Sequence, residues 1–281
     1  MCVTTIIDSD IEIVYFSRAY HSKLKPIKLS GVPEEERPAA ESVSLFDIHH
    51  EMDWLLALIN KLQCPVVFSH NDINTGNILV KDNYQGCDPV VLIDFEFSSY
   101  NYRSFDIANH FNEWMYDYRW EKTLAHYCVL HNFIVISLKK CTLPLKLRLI
   151  ITSLIMFRRK DYPYYYRNTD KYPSKSEQER WVRTYVQTYL KQQSLIRENN
   201  AVDLGNTHKV DQLEEEQQVL KEISVFCLAS HLLWTLWSLK QAQHSNIPFA
   251  YYSYAKDKIE DYREKKLEVL SLYNVGTSAS F

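Results

Sequence analysis

The sequence predicts an α+β fold in which a small β-hairpin region is followed by a larger helical part. The apolar runs 77–80 and 90–93 flank the turn-forming segment 81–89, a pattern typical of a hairpin. From Tyr172 onward, apolar residues recur at helical spacing. The composition is that of a globular protein, with 46% hydrophobic and 24% charged residues in a chain of 281.

The elements before the hairpin follow in chain order. Residues 10–16 have the composition of a strand, and the Pro- and Glu-rich residues 30–40 predict a linker. Residues 51–62, EMDWLLALINKL, carry apolar positions at helical spacing. Residues 65–68 then predict a short buried strand that enters the loop 70–77, HNDINTGN.

The elements after the hairpin are predicted to be mainly helical. Residues 104–118 predict a helix on which four polar residues lie about one turn apart: Asp106, His110, Glu113 and Asp117. Further helices are predicted at 176–194, 211–243 and 251–272, with a polar connection at 199–208 and a loose tail at 275–281.

The segment 123–161 does not fit this pattern. It is rich in Leu, Ile, Val and Phe but contains interspersed Lys and Arg, and its uncharged runs, among them the apolar run 149–157, are all shorter than 20 residues. Because a membrane span needs about 20 apolar residues, no span is predicted. An irregular insertion is the simpler interpretation, and an interfacial or partner-binding helix is the alternative.

Charge, cysteines and glycines exclude several classes of protein. The formal net charge of −3 argues against a general nucleic-acid binder. The six cysteines include no C-x-x-C pair, and residues 1–10 have no secretory signal, so free thiols in a reducing cytoplasm are expected. The five glycines are far apart, which excludes a glycine-rich phosphate loop.

The HNDINTGN loop has the form H-x-D-x-x-x-x-N, and Asp94 follows the next apolar run. Phosphoryl transfer from ATP uses one carboxylate as a base, and an amide and a second carboxylate to hold Mg²⁺. The pattern predicts Asp72 as the base, with loop capping as the alternative role. Asn77 and Asp94, which the hairpin would bring to one sheet edge, are predicted Mg²⁺ ligands. His70 is expected to brace the loop, and Glu96 to support the metal site.

Three segments resemble the choline/ethanolamine kinase family: 70–77, 93–118 and 228–238, LASHLLWTLWS. The likeness covers roughly residues 51–122 and 162–265. It implies a protein-kinase-like, two-lobed fold, of which these residues would form the helical C-terminal lobe. It also implies transfer of the γ-phosphoryl group of MgATP to choline or ethanolamine, a step towards phosphatidylcholine through CDP-choline.

The resemblance favours choline, because residues 113–118, EWMYDY, are similar to the choline kinase version. A quaternary ammonium is best held by aromatic faces and a nearby carboxylate. The positions that match the family's substrate pocket are Glu113, Tyr118, Trp234, Trp237, Phe249 and Tyr254. Trp234 and Trp237 share a helix face, although core packing would explain them without the resemblance. Asp106 matches a position that braces the catalytic loop.

The chain departs from the family in three places. The N-terminal lobe, with its phosphate loop and Lys–Glu pair, is largely missing, because residues 1–50 are too few to form it. Asn74 and Thr75 occupy positions where choline kinases often have Gln and Glu. The segment 123–161 interrupts a place where the family runs on directly, which suggests an incomplete or mis-spliced product.

The predicted organisation is a poorly determined segment 1–50, a kinase-like lobe 51–272 with the insertion 123–161, and a tail 273–281. The first interpretation is a choline kinase that uses ATP and Mg²⁺. The alternatives are a catalytically impaired fragment or isoform that acts as a non-catalytic binding lobe, and an ethanolamine kinase or another small-molecule kinase of the aminoglycoside-phosphotransferase type. The resemblance implies homodimers that form largely through the other lobe, so a dimer is not assumed for this chain.

Overall fold

The computed structural model describes residues 25–81, 89–118, 164–200 and 211–273. The predicted strand at 10–16, the insertion 123–161 and the tail at 275–281 lie outside the described residues. Two helices precede a group of short strands, and long helices make up the second half of the described residues, an arrangement that agrees with the predicted α+β fold.

The helices are α1 (Arg37–Ser44), α2 (Ile48–Leu62), α3 (Phe105–Glu113), α4 (Lys175–Asn200), α5 (Gln212–His244) and α6 (Tyr251–Leu272). The strands are β1 (Val66–Ser69), β2 (Ile78–Val80), β3 (Val90–Leu92), β4 (Ser99–Tyr102), β5 (Tyr116–Asp117) and β6 (Tyr166–Arg167). Single 3-10 turns include Glu34–Glu36, Thr75–Asn77 and Phe95–Phe97.

In the described parts of the chain the strands form three antiparallel pairs. β2 and β3 form the predicted hairpin, with Ile78 opposite Leu92. β1 pairs with β4, with Val66 opposite Tyr102. The loop 70–77 therefore lies between two strand pairs, where β1 ends and β2 begins.

Helix α5 forms the centre of the helical part. It packs against α2, α3, α4 and α6, and the buried residues include Phe226 of α5, Phe111 of α3 and Tyr262 of α6. Within the described residues α5 alone is long and apolar enough to cross a membrane, but 83% of its apolar window is buried inside the protein. Core packing therefore explains its apolar character.

The predicted helix over 104–118 is too long, because α3 ends at Glu113. The chain then turns, and β5 pairs with β6. The backbone N–H of Asn168 also donates to the carbonyl of Met115 at 2.8 Å. These pairings with a distant segment outweigh the local helical preference, so Asp117 does not continue the helical face that carries Glu113.

The predicted linker over 30–40 is also wrong, because part of it begins helix α1. Ala40 and Val43 are buried in one apolar cluster with Ile259 of α6. Of the two prolines that suggested a linker, Pro38 lies in the first turn of α1, where its missing N–H breaks no helical hydrogen bond. Burial against α6 thus stabilises a helix that composition alone did not indicate.

Glu36, directly before α1, fastens this segment to α6. Its carboxylate accepts the backbone N–H of Tyr252 at 2.6 Å and of Ser253 at 3.2 Å. The unpaired N–H groups and the dipole at a helix N-terminus favour an anion there. A residue of the N-terminal segment therefore caps the helix that carries Tyr254.

Two further helix boundaries differ from the prediction. α2 begins at Ile48, because the side chain of Asp47 accepts the N–H of His50 at 3.0 Å and caps the helix. α4 continues to Asn200. The helix therefore includes residues 199 and 200, which were predicted to belong to the polar connection.

Candidate active site

The loop 70–77 is held in place by one carboxylate. The backbone N–H of His70 donates to Asp106 Oδ2 at 2.8 Å, and that of Asn71 donates to Asp106 Oδ1 at 2.7 Å. Asp106 lies in the first turn of α3. It therefore ties the start of the loop to a core helix, in the bracing position predicted for it.

Asn71 connects the loop to the strand that returns beside it. Its φ of 67° is left-handed, a conformation that Asn tolerates better than most residues. Its buried amide nitrogen donates to the carbonyl of Phe97 and to the hydroxyl of Ser99, both at 2.9 Å. Its amide oxygen accepts the side chain of Asn101 at 2.9 Å. The sequence prediction missed Asn71, although an Asn before the key aspartate is a signal for positive φ.

Asp72 is half-buried, and both of its carboxylate oxygens accept amide hydrogen bonds. Asn74 Nδ2 donates to Oδ1 at 2.9 Å, and Asn77 Nδ2 donates to Oδ2 at 3.0 Å. Burial raises the pKa of the Asp72 carboxyl to about 7; the Asn74 bond opposes the rise, and the charge of Glu113 adds to it. A carboxyl group poised near neutral pH is suited to accept a proton from a hydroxyl.

The hairpin brings Asn77 and Asp94 to one edge of the sheet. The N–H of Ile93 donates to the Asn77 carbonyl at 3.0 Å. The Asn77 amide nitrogen also donates to the Asp72 carbonyl at 2.9 Å, so its amide oxygen is directed elsewhere. Asp94 is exposed and has a φ of 65°. An amide oxygen and an exposed carboxylate at one edge are a donor set that suits Mg²⁺.

Two predicted supporting residues flank this edge. His70 is buried, and its ring Nε2 lies 2.9 Å from the Ile93 carbonyl while its Nδ1 accepts the Asp72 N–H at 3.3 Å. It therefore bridges the loop to the turn that carries Asp94. Glu96 lies in the 3-10 turn that follows and lines the same cavity as Asp72.

A cavity of about 1020 Å³ opens beside Asp72. The six residues predicted for the substrate pocket all line it: Glu113, Tyr118, Trp234, Trp237, Phe249 and Tyr254. Asn77 and Asp94 are not among its lining residues. The structure therefore brings the predicted base and the predicted pocket together, with the predicted metal ligands at the adjoining hairpin edge.

The aromatic residues of the cavity form a wall of crossed rings. The rings of Trp234 and Trp237 meet edge to face at 5.6 Å, and those of Phe249 and Tyr254 at 5.5 Å. The indole N–H of Trp234 donates at 2.7 Å to Oδ1 of Asn109, a fully buried residue of α3. These contacts fix the rings without a ligand. The sequence prediction missed Asn109, because nothing in its local pattern distinguishes it from other polar residues of the helix.

Glu113 is not a free carboxylate. Its Oε1 lies 2.9 Å from the ammonium of Lys258, and its Oε2 accepts the Tyr118 hydroxyl at 2.7 Å. The hydroxyls of Tyr118 and Tyr254 lie 2.9 Å apart, and burial raises the pKa of both well above the usual value. The sequence prediction missed Lys258; its place four residues after Tyr254, on the same face of α6, is the available signal.

A loop with Asp72 and Asn77, a hairpin that ends at Asp94 and a helical body define the class of protein-kinase-like phosphotransferases. A choline kinase from Cryptosporidium parvum shares the fold with a TM-score of 0.54 and 20% identity, over 96% of this chain and 61% of that chain. An ethanolamine kinase from Plasmodium vivax has a TM-score of 0.52 and 21% identity, over 90% and 49%. The predicted fold class is confirmed.

The family model described as Choline/ethanolamine kinase matches residues 10–140 and 151–263, and the chain belongs to this family. A rat choline/ethanolamine kinase is 32% identical over 244 residues, and mouse choline kinase alpha is 33% identical over 223. A Drosophila melanogaster ethanolamine kinase is 28% identical over 249 residues. These alignments cover 87%, 79% and 89% of this chain but 49%, 38% and 35% of the relatives, so the chain spans half or less of their length.

The family match extends beyond the likeness that the sequence motifs indicate. It includes residues 10–50 and most of 123–161. The N-terminal segment is therefore related to the family as well as packed on the helical body through α1.

Proposed function

We propose that this chain is the lobe of a choline kinase, which transfers the γ-phosphoryl group of ATP to the hydroxyl of choline. The observation that carries the proposal is a single cavity lined by Asp72, whose pKa burial raises to about 7, and by a wall of aromatic rings. Choline has a hydroxyl at one end and a quaternary ammonium at the other. One such molecule would engage both features at once.

Asp72 would act as the general base. It would accept the proton of the choline hydroxyl as the oxygen attacks the γ-phosphorus, while the bond to the β-phosphate breaks and ADP leaves. Asn74 and Asn77 hold one carboxylate oxygen each, which fixes the direction of the carboxylate. Positioning of this kind supplies much of the catalysis of phosphoryl transfer.

Asn77 and Asp94 would hold Mg²⁺, with Glu96 supporting the site. Among the described residues no group of three or more His, Cys, Asp or Glu could hold a metal ion by itself. Mg²⁺ usually keeps waters and substrate phosphate oxygens as ligands, so two protein ligands are compatible with it. When bound, the ion would offset the negative charge of the ATP phosphates.

The aromatic wall supports choline as the substrate. A quaternary ammonium cannot donate a hydrogen bond, and ring faces attract it through their negative electrostatic potential. Trp234, Trp237 and Tyr254 supply such faces to the cavity. Ethanolamine is the alternative substrate, because relatives named ethanolamine kinase also match the chain.

A non-catalytic choline-binding lobe is the second candidate function. The six residues predicted for the substrate pocket all line the cavity, whereas the chain spans about half of the relatives' length. Choline binding and turnover are therefore separable properties. Either function would be cytoplasmic, where the buried free thiols of Cys64 and Cys227 would stay reduced.

Phosphocholine formation from ATP, Mg²⁺ and choline is the direct test, with Asp72→Asn as the inactive control. Calorimetric titration with choline measures binding alone. Turnover that Asp72→Asn abolishes supports the kinase, and choline binding without turnover supports the binding lobe. Absence of both would refute the two candidates together.

A further inference from the structure

We propose that Lys258 is a specificity-determining residue that biases the cavity towards quaternary over primary ammonium groups, an inference that rests on the proposed choline binding. Lys258 is fully buried and does not itself line the cavity. It lies against Tyr116 and Tyr254, which do line the cavity. Its ammonium lies 3.6 Å from the ring centroid of Tyr116 and 5.0 Å from that of Tyr254. The Lys258 ammonium therefore already makes cation–π contacts with these two rings of the aromatic wall.

The same ammonium balances the charge of Glu113. The Lys258 ammonium donates to one oxygen of this carboxylate at 2.9 Å, and the Tyr118 hydroxyl donates to the other at 2.7 Å. Glu113 is 3% exposed and Lys258 is 0% exposed, so water screens the pair little. An incoming ligand thus meets an ion pair at this place, rather than a bare carboxylate.

The ion pair affects the two ligand types differently. A primary ammonium is strongly hydrated and needs hydrogen-bond acceptors to replace the lost water. To use Glu113 as an acceptor it must approach the carboxylate closely, and there the ammonium of Lys258 repels it. The methyl groups of a quaternary ammonium keep its nitrogen further away, and ring faces are its main attraction. Lys258 therefore weakens the binding of a primary ammonium more than the binding of a quaternary ammonium.

The test is a calorimetric titration of the full chain with choline and with ethanolamine. In Lys258→Met we expect the ratio of the ethanolamine Kd to the choline Kd to fall about tenfold, which corresponds to about 1.4 kcal/mol. Lys258→Gln makes the same charge change but keeps a donor for Glu113, so it provides a second, milder variant. Lys258→Arg keeps the charge and should keep the wild-type ratio.

Lys266 offers a matched control on the same helix. It pairs with Glu51 and lies 4.2 Å from the ring centroid of Trp54, and it is not among the cavity's lining residues. Lys266→Met also removes a lysine from an ion pair and from an aromatic face. It should therefore lower stability without changing the ratio of the two dissociation constants.

A folded Lys258→Met or Lys258→Gln protein with the wild-type ratio overturns the proposal, as does the same shift in Lys266→Met. If neither Lys258 variant folds, the wild-type chain decides. Affinity that rises with each N-methyl group added to ethanolamine supports the proposal, and equal affinity for ethanolamine and choline overturns it. A wild-type chain that binds neither ligand refutes choline binding itself, a result distinct from an unchanged ratio.

Discussion

The loop 70–77, which carries the proposed base, and the aromatic cavity are held in place by different means. Polar side chains fix the loop: Asp106 accepts two of its backbone N–H groups, and Asn71 joins it to β4. Ring packing and the Glu113–Lys258 ion pair fix the cavity. The side chains that line the cavity hold one another in place, whereas Asp94 at the proposed metal site is exposed. Substitutions in the aromatic cavity should therefore leave the loop 70–77 largely intact, and substitutions in the loop should leave the cavity largely intact.

The largest effect is expected from Asp72→Asn, which keeps the side-chain shape and removes the base. General base catalysis typically contributes about 100- to 10,000-fold, so phosphocholine formation should fall by that range. Choline affinity should change little, because the aromatic wall is untouched. Initial rates and calorimetry on the same preparation check both statements, and a fully active variant would assign the base role to another group.

Trp237→Ala should weaken choline binding about 30-fold, because a desolvated cation–π contact contributes about 2 kcal/mol. ATP affinity should stay near the wild-type value. Trp181→Ala is the control: Trp181 is 40% exposed, packs on Phe111 and does not line the cavity. Equal losses of choline and ATP affinity in Trp237→Ala would mean that Trp237 only supports the core.

Glu96→Gln tests the proposed Mg²⁺ site at Asn77 and Asp94. Removing a group that supports metal ligands typically costs at least tenfold in metal affinity, so the Mg²⁺ concentration for half-maximal activity should rise about tenfold. Choline affinity measured without ATP should change much less, because the aromatic wall is untouched, although Glu96 also lines the cavity. A shift in choline affinity of the same size would show that the metal site and the aromatic cavity are not independent.

Asn109→Ala should have the smallest effect on activity. It leaves the buried indole N–H of Trp234 without an acceptor, which lowers the free energy of unfolding by about 1–3 kcal/mol. The loosened ring should raise the KM for choline several-fold while kcat stays similar. Asn112→Ala on the same helix is the control, because Asn112 is fully buried, bonds to the Cys227 carbonyl and does not line the cavity. An equal change in the KM for choline in both variants would mean that Asn109 only stabilises the fold and does not position Trp234.

Local patterns in the sequence predicted the elements whose structure is decided locally. The bounds of α6 match the prediction, and the predicted pairing of β2 with β3 is observed with strands one residue shorter. The end of α3 and the start of α1 could not be predicted in this way. They are decided by β6 and by α6, and no local pattern reveals such partners.

The candidate site likewise contains residues that the sequence predicted and residues that it did not. The resemblance grouped six residues that line the cavity, and four of them lie in the recognisable segments 93–118 and 228–238. Asn109 and Lys258 went unnoticed, because they act from outside the lining on Trp234 and Glu113, which are 125 and 145 residues away along the chain. Residues that orient a site from outside it are found by geometry, not by motif.

The bond from Glu36 to the start of α6 has a consequence for amide exchange. It joins residues 216 positions apart and covers the N–H groups of Tyr252 and Ser253. Those protons should exchange slowly with deuterium, and more slowly still when choline holds Tyr254 one turn into α6. The exchange rate at these two backbone positions, which do not line the cavity, would thus report ligand binding indirectly.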